Sequence, residues 1–426
     1  MNLLIRNGLV VDPANRINQV MDIFVEGGKI SRVTKDIDAK ADNVIDARGL
    51  IVMPGTVDMH VHLREPGRED KETVLSGTSA ALKGGVTSLL AMPNTSPAID
   101  SVENIKLLQG IIKRDSRCDC FISSSITKSR LGAETVDIGA VKRAGALAMT
   151  DDGSSVDDER VFTRALRDAK KHGLLVIAHC EDKGLSGNGV VNLGFISTKL
   201  GLRGIPKESE YKRVQRDIML AQKTGARLHI AHVSCAESVE AIARAKKKSP
   251  RITCETAPHY FSLSEEDLVD YDTNMKINPP LRSRHDVAAI KEGLKAGIID
   301  VIASDHAPHT ENEKNIEFDR AEFGKIGLES GLAVSITELI EKAILDWPGL
   351  VEKIALNPAR ILGIQKGTLS PGSCADIVIV DSKRELILKK EDIVSKSKNS
   401  PFLNRKLKGV VKYTILSGKI VYVNPA

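Results

Sequence analysis

The residues best equipped for chemistry are histidines and aspartates that recur where apolar runs end. The first run is Val57-Asp58-Met59-His60-Val61-His62-Leu63-Arg64. In an extended strand, side chains repeat their direction every two residues. His60 and His62 therefore share one side, and Met59, Val61 and Leu63 the other. Two imidazoles on one face suit a divalent metal. A lone His-x-His more often marks a partly exposed strand face than a metal site, so the weight lies in repetition. Later runs end in Met92-Pro93-Asn94-Thr95, Thr150-Asp151-Asp152-Gly153, Ala178-His179-Cys180-Glu181-Asp182, Ala231-His232-Val233-Ser234 and Ser304-Asp305-His306-Ala307-Pro308-His309.

Each of these has a plainer reading by itself. His179 or His232 would be a hydrogen-bonded core histidine, Asp151 or Asp152 a cap for a helix near 157, and Asp305 or Asn94 a turn residue. Six of the ten histidines nevertheless fall at such ends. Four histidines and two carboxylates converging on one mouth are too polar to be core filler. Nitrogen and oxygen donors without thiolate favour Zn²⁺, with Mn²⁺ or Co²⁺ as substitutes. His172 and His229 lie inside elements and read as structural. His259, just past the seventh run, stands between a structural and a supporting role.

The elements that must position these residues follow from the pattern of the chain. Eight strands are expected near 57–62, 86–92, 119–126, 145–150, 174–179, 226–232, 251–257 and 299–304. Amphipathic helices are expected between them at 70–83, 101–114, 134–143, 157–171, 208–224, 236–248 and 286–296, with an eighth at 328–345. Eight βα units predict an α/β fold, a closed (β/α)₈ TIM-type barrel, with catalytic residues at the C-terminal strand ends. An open doubly wound sheet lacks support, because no glycine-rich phosphate loop follows a strand. Both chain ends read as short strands too small to bury a core alone, so they are expected to meet in a small β-sandwich. That divides the chain into residues 1–54 plus 363–426 for the sandwich and 55–362 for the barrel.

Composition narrows the function classes. Sixty-one basic against fifty-six acidic residues give a net charge of +5, and only 3% of residues are aromatic. Short basic clusters broken by acidic stretches, with few rings for stacking, argue against nucleic acid as a partner. Six sparse cysteines without a Cys-x-x-Cys read as reduced thiols. No apolar run reaches the ~18 residues that span a bilayer, and the first residues do not form a signal peptide. A cytoplasmic protein without membrane association is expected.

His-x-His on strand 1, single histidines on strands 5 and 6 and an aspartate on strand 8 resemble the amidohydrolase superfamily. More narrowly, the chain resembles class I dihydroorotases through Pro54 to Gly67, Met92 to Thr95, Thr150 to Gly153, Ala178 to Asp182, Asn278-Pro279-Pro280-Leu281-Arg282 and Ser304 to His309. The resemblance continues to Asn357-Pro358-Ala359-Arg360 and Ser400-Pro401-Phe402. It implies metal-dependent, reversible cyclisation of N-carbamoyl-L-aspartate to dihydroorotate, the third step of pyrimidine biosynthesis. Allantoinase or hydantoinase is the alternative, although both normally keep a strand-4 lysine that is absent here.

The resemblance assigns His60 and His62 to one zinc ion and His179 and His232 to a second. An aspartate matching Asp152 lies between the ions, although spacing alone leaves Asp151 open. Asp305 would be both ligand and general base. His62, Arg64, Asn94, Asn278, His309 and the backbone of Phe323-Gly324 would bind substrate. A homodimer and association with aspartate transcarbamoylase are further expectations. Glu322 and Lys325, flanking Phe323-Gly324, put charges where such proteins often carry proline and an apolar residue, and Tyr260 stands where many have a second histidine.

Overall fold

The computed structural model describes residues 2–249 and 251–424. The first strands are β1 (Leu3–Asp12), β2 (Ile17–Glu26), β3 (Lys29–Thr34), β4 (Asn43–Asp46) and β5 (Ile51–Pro54). The barrel strands follow as β6 (Thr56–Val61), β7 (Val86–Ala91), β8 (Asp119–Ser124), β9 (Ala148–Met149) and β10 (Leu175–Ala178). A small pair, β11 (Val191–Asn192) and β12 (Gly204–Ile205), interrupts them before β13 (Leu228–Ile230), β14 (Ile252–Thr256) and β15 (Val301–Ile302). The chain closes with β16 (Ile377–Ile387), β17 (Lys406–Leu416) and β18 (Lys419–Val423).

Strands from both ends form one sheet in the order β18-β17-β16-β5-β1-β2-β3, with β4 also on β1. Its own core holds Leu3, Ile5, Ile23, Val25, Val52, Ile377, Ile379 and Ile415. The two ends meet because neither buries enough apolar surface without the other. Gly55 carries the chain from this sheet into the barrel, where a Cβ would sit 2.2 Å from Thr87 Oγ1.

The barrel strands run parallel in sequence order, β6 to β15. The ring is closed by a bridge between Val61 and His306, with the His62 N–H donating to the His306 carbonyl at 2.9 Å. Val57, Met59, Leu90, Ala148, Leu175, Ile177, Val301 and Ala303 share one buried cluster drawn from strands all around the ring, as the inside of a cylinder requires. Met59 belongs to that interior although strict alternation assigns it to the side opposite His60. The register against β7 slips between Asp58 and Val61, and a bulge there lets neighbouring residues both turn inward.

Seven helices match the expected pattern, at Val74–Lys83, Val102–Asp115, Ile138–Ala144, Glu159–His172, Glu208–Thr224, Ala236–Lys246 and Arg284–Lys295. Their starts obey local chemistry. Thr73, Ser101, Asp137, Asp158 and Ser283 each accept a main-chain N–H of the first turn. The eighth differs. It is α-helical over Gly331–Ser335, widens into π-type turns over Ile336–Ile340, and stops before Ala343, whose φ is +53°. The excursion 183–205 after β10 was not anticipated, since its short polar elements carry no periodic signal.

Candidate active site

The C-terminal ends of five barrel strands, β6, β9, β10, β13 and β15, deliver the cluster. Asp152 Oδ1 lies 3.2 Å from His60 Nε2, 3.5 Å from His179 Nδ1 and 3.6 Å from His232 Nε2, and Asp152 Oδ2 lies 3.4 Å from His62 Nε2. Asp305 Oδ1 is 3.6 Å from His60 Nε2 and 3.5 Å from His62 Nε2. His179 Nδ1 faces His232 Nε2 at 2.8 Å. All six side chains are buried. Arg64, His232 and Asp305 have φ of +64°, +34° and +47°, a left-handed backbone that costs non-glycine residues energy and concentrates where function demands it.

The two aspartates that spacing leaves equivalent are separated here. Asp151 turns away and accepts the Ile126 and Thr127 N–H groups at 2.8 and 3.1 Å, together with the Thr127 hydroxyl. Asp152 alone meets the histidines.

The site's donor atoms fit a metal on their own geometry. His60 with Asp152 and His232, and His60 with His62 and Asp305, each bring three possible ligand atoms within 4.8 Å of one another. His60 Nε2 and Asp152 Oδ1 are buried without a hydrogen bond although only 3.2 Å apart, and His232 Nδ1 is likewise without one. Buried polar atoms are seldom left so unless an ion or ligand completes them. Burial alone would raise the pKa of Asp152 and Asp305. The surrounding imidazoles overcome it and hold both carboxyls below the usual range, in the ionised form that a cation needs.

Supporting groups fix the rings. Glu255 Oε1 accepts from His60 Nδ1 at 2.6 Å, and Glu255 Oε2 is 3.2 Å from His229 Nε2. Desolvation works against the Glu255 charge, but the two imidazoles hold its pKa down to about 2. Asn94 Oδ1 sits 2.8 Å from His62 Nδ1. In both cases the partnered nitrogen carries the proton and Nε2 keeps its lone pair free, the usual way a ligating histidine is oriented. His229, read as structural, closes this chain with Thr253 Oγ1 at 2.8 Å. Glu255 was missed in the sequence. Its only signal is an acidic residue in the middle of an otherwise buried strand. Asp58 was passed over similarly; it accepts the Ser304 and His60 N–H groups and ties the first strand to the last.

The remaining expected residues ring the mouth. Asn278 Nδ2 donates to Glu181 Oε2 at 3.1 Å, and Glu181 also lies 3.2 Å from His179 Nε2. Arg64 Nε donates to the Pro308 carbonyl at 3.1 Å, and its Nη2 is 3.2 Å from His309 Nε2. The Gly324 N–H donates to the Lys276 carbonyl at 2.9 Å, while its own carbonyl accepts from Lys314 Nζ and Asn399 Nδ2, both at 3.1 Å. Gly324 has φ of +141°, and a Cβ there would meet His309 Cδ2 at 2.9 Å, so only glycine lets this loop approach the ring. Lys276 Nζ lies 4.7 Å from the Phe323 ring centroid.

The two unusual charges part company. Glu322 stays at the surface. Lys325 is 1% exposed, donates to the Ser304 carbonyl, and has its pKa pushed down to about 8 by burial, against the pull of Asp305 and Asp58. His259 is fully buried beside the cluster with neither ring nitrogen hydrogen-bonded, and burial with the nearby Lys325 charge lowers its pKa. His306 points away, to Glu72 at 3.2 Å.

A family model described as dihydro-orotase-like matches residues 49–238. The chain is 48% identical over 424 residues to a dihydroorotase of Elusimicrobium minutum (strain Pei191), spanning 100% of this chain and 98% of that protein. It is 48% identical over 423 residues to one of Geobacter metallireducens, spanning 99% and 100%. Among solved structures it resembles an L-hydantoinase (dihydropyrimidinase) from Arthrobacter aurescens, with TM-score 0.89, 25% identity and coverage of 98% and 95%. The dihydropyrimidinase from Brevibacillus agri NCHU1002 gives TM-score 0.87, 25% identity and coverage of 100% and 95%.

Proposed function

The chain belongs to the dihydroorotase family, and from that premise we infer that it interconverts N-carbamoyl-L-aspartate and dihydroorotate in pyrimidine biosynthesis. The observation that carries the reading is 48% identity across the whole length to dihydroorotases, against 25% to the hydantoinase fold relatives. Asp152 at the fourth strand end, where hydantoinases keep lysine, favours the same side.

His60, His62, Asp152, His179, His232 and Asp305 would hold one or two ions; His60 stands in both candidate triads, and its single free Nε2 would serve only one of them. Their nitrogen and oxygen donors favour zinc. When bound, the metal supplies positive charge that acidifies water and polarises the carbonyl under attack. Everything else falls to the protein's own groups. Asp305, held ionised, takes the proton of the attacking water as the ring amide opens. It then returns that proton to the departing ring nitrogen. Arg64 offers a planar fork to the substrate carboxylate, with His309 beside it. Asn94, Asn278 and the Phe323-Gly324 backbone hold the ring in position for attack. In the closing direction a carboxylate and a proton are consumed as water leaves, so the balance moves toward the ring as pH falls.

Family membership also supports a cytoplasmic homodimer able to associate with aspartate transcarbamoylase. Light scattering with and without that enzyme tests the assembly. Among the described residues no helix is long and apolar enough to cross a membrane.

The deciding experiment assays the purified, zinc-supplemented protein on dihydroorotate, N-carbamoyl-L-aspartate, allantoin and hydantoin. Turnover of the first pair is expected; preference for allantoin or hydantoin overturns the assignment. His179→Ala should lower bound metal per chain by elemental analysis, and unchanged stoichiometry would remove His179 from the ligands.

A further inference from the structure

Lys71 lies outside every motif considered so far, yet it is 3% exposed and reaches the ring of His309. Its Nζ is 3.1 Å from His309 Nδ1 and 2.8 Å from Glu313 Oε1. An ammonium has three donors and no acceptor, so a nitrogen hydrogen-bonded to it must offer a lone pair. Nδ1 is therefore bare, and a neutral His309 carries its proton on Nε2. The ring is kept neutral by its setting: burial, then Arg64, Lys71 and Lys314, all disfavour a further positive charge, opposed by main-chain contact with Phe323.

Among the side chains of the described residues, the competing tautomer has one candidate acceptor. Glu313 Oε2 stands 3.4 Å from Nδ1, but it already accepts the Thr310 N–H at 3.0 Å and the Thr310 hydroxyl at 3.1 Å. Lys71 is itself pinned, because its carbonyl accepts the Ser397 hydroxyl at 2.6 Å. The main chain at His309 is held as well, where its backbone N–H donates to Asn399 Oδ1 at 3.1 Å.

The consequence appears at the other nitrogen. Arg64 Nη2 lies 3.2 Å from His309 Nε2, and with Nε2 protonated both atoms are donors. Two donors side by side cannot satisfy each other, and both can turn to one shared acceptor, the Phe323 main chain being the competing contact at the ring. We propose that Lys71 is a positioning residue that sets the His309 tautomer, so that Nε2–H and the Arg64 fork jointly grip a substrate carboxylate. This rests on the dihydroorotase reading for the identity of the acid. It assigns Lys71 no contact with the reacting atoms.

The test begins with the wild-type holoenzyme labelled with ¹⁵N-histidine, the His309 signals assigned by their loss in His309→Gln. Protonated Nε2 and bare Nδ1 are expected; a proton on Nδ1 overturns the proposal without any Lys71 variant. Lys71→Met should populate the Nδ1–H form and raise KM for dihydroorotate about tenfold, the worth of one charge-assisted hydrogen bond, with kcat and metal content nearly unchanged. Lys71→Arg, which keeps a donor, should recover part of that KM. A folded, metal-loaded Lys71→Met with wild-type KM overturns the proposal, as does a parallel fall in kcat and stability without a KM effect. Wild-type protein that ignores dihydroorotate is a different failure: it removes the function reading and, with it, the substrate carboxylate.

Discussion

Two buried polar clusters at the barrel mouth obey opposite rules. Around Arg282, 2% exposed, each guanidinium nitrogen has a partner: Nη2 is 3.3 Å from Glu210 Oε2, Nε donates to Ser234 Oγ at 3.1 Å, and Nη1 donates to Asn192 Oδ1 at 2.9 Å. Glu210 further accepts the Ser234 and Cys235 N–H groups at 3.0 and 3.3 Å. Around Asp152, histidines crowd two carboxylates, and three ring or carboxylate atoms have no hydrogen bond. Charges leave water only when something replaces the lost hydration. The first cluster replaces it from within the chain and is scaffold. The second does so only in part and is built around a guest. Hydrogen-bond satisfaction, rather than burial or charge, tells the two apart.

The contrast breaks most visibly at Asp305. Asp305→Asn keeps the shape and removes the proposed base, so kcat should fall by about 10³ or more while part of the metal stays bound. A near-normal rate would take Asp305 out of the chemistry.

Next in size is the saturated cluster. Arg282→Met leaves Glu210 buried and unpaired, which should cost about 3–5 kcal/mol in denaturant unfolding. Metal per folded chain should not change; if it does, the two clusters are not separate.

Glu255→Gln tests how far the scaffold reaches into the site. It weakens the grip on His60 Nδ1 and should loosen metal about 10–100-fold in a competition titration with a chelator. Equal affinity would show that His60 needs no such support.

The smallest effect concerns Glu72, which joins the returning chain to the barrel. Its carboxylate accepts the Ser395 hydroxyl and the Lys396 N–H at 3.0 Å, beside His306 at 3.2 Å. Burial raises its pKa, but these groups and Ser76 outweigh it and lower the folded value. Its charge therefore stabilises the fold above the unfolded pKa, and that contribution fades as pH falls through the lower folded value. Glu72→Gln should lose about 1–2 kcal/mol at neutral pH. The gap in Tm from wild type should narrow in acid; a gap independent of pH would mean that shape, not charge, is at work.

What the chain declares by itself is local and periodic. Alternating β-branched runs and amphipathic stretches mark eight βα units, and the histidines at their ends stand out because strand ends are where a barrel collects side chains. The helices were equally legible, although two begin four residues later than expected, at Val74 and Ile138, where Thr73 and Asp137 set the start. The long helix over 328–345 was not: a widened turn at Ile336–Ile340 is imposed by packing that periodicity does not encode.

Only the tertiary structure decided which of two adjacent aspartates faces the metal site, because both occupy one turn and their directions depend on Thr127 and four histidines far away in the chain. It alone brought Glu255 to His60, Asn94 to His62 and Lys71 to His309, separated by 195, 32 and 238 residues. Hydrogen bonds reach about 3 Å, and sequence distance says nothing about which partners fall within it. Chemistry could be read as a list of residue types along the chain; orientation, protonation and tautomer belong to the assembled molecule.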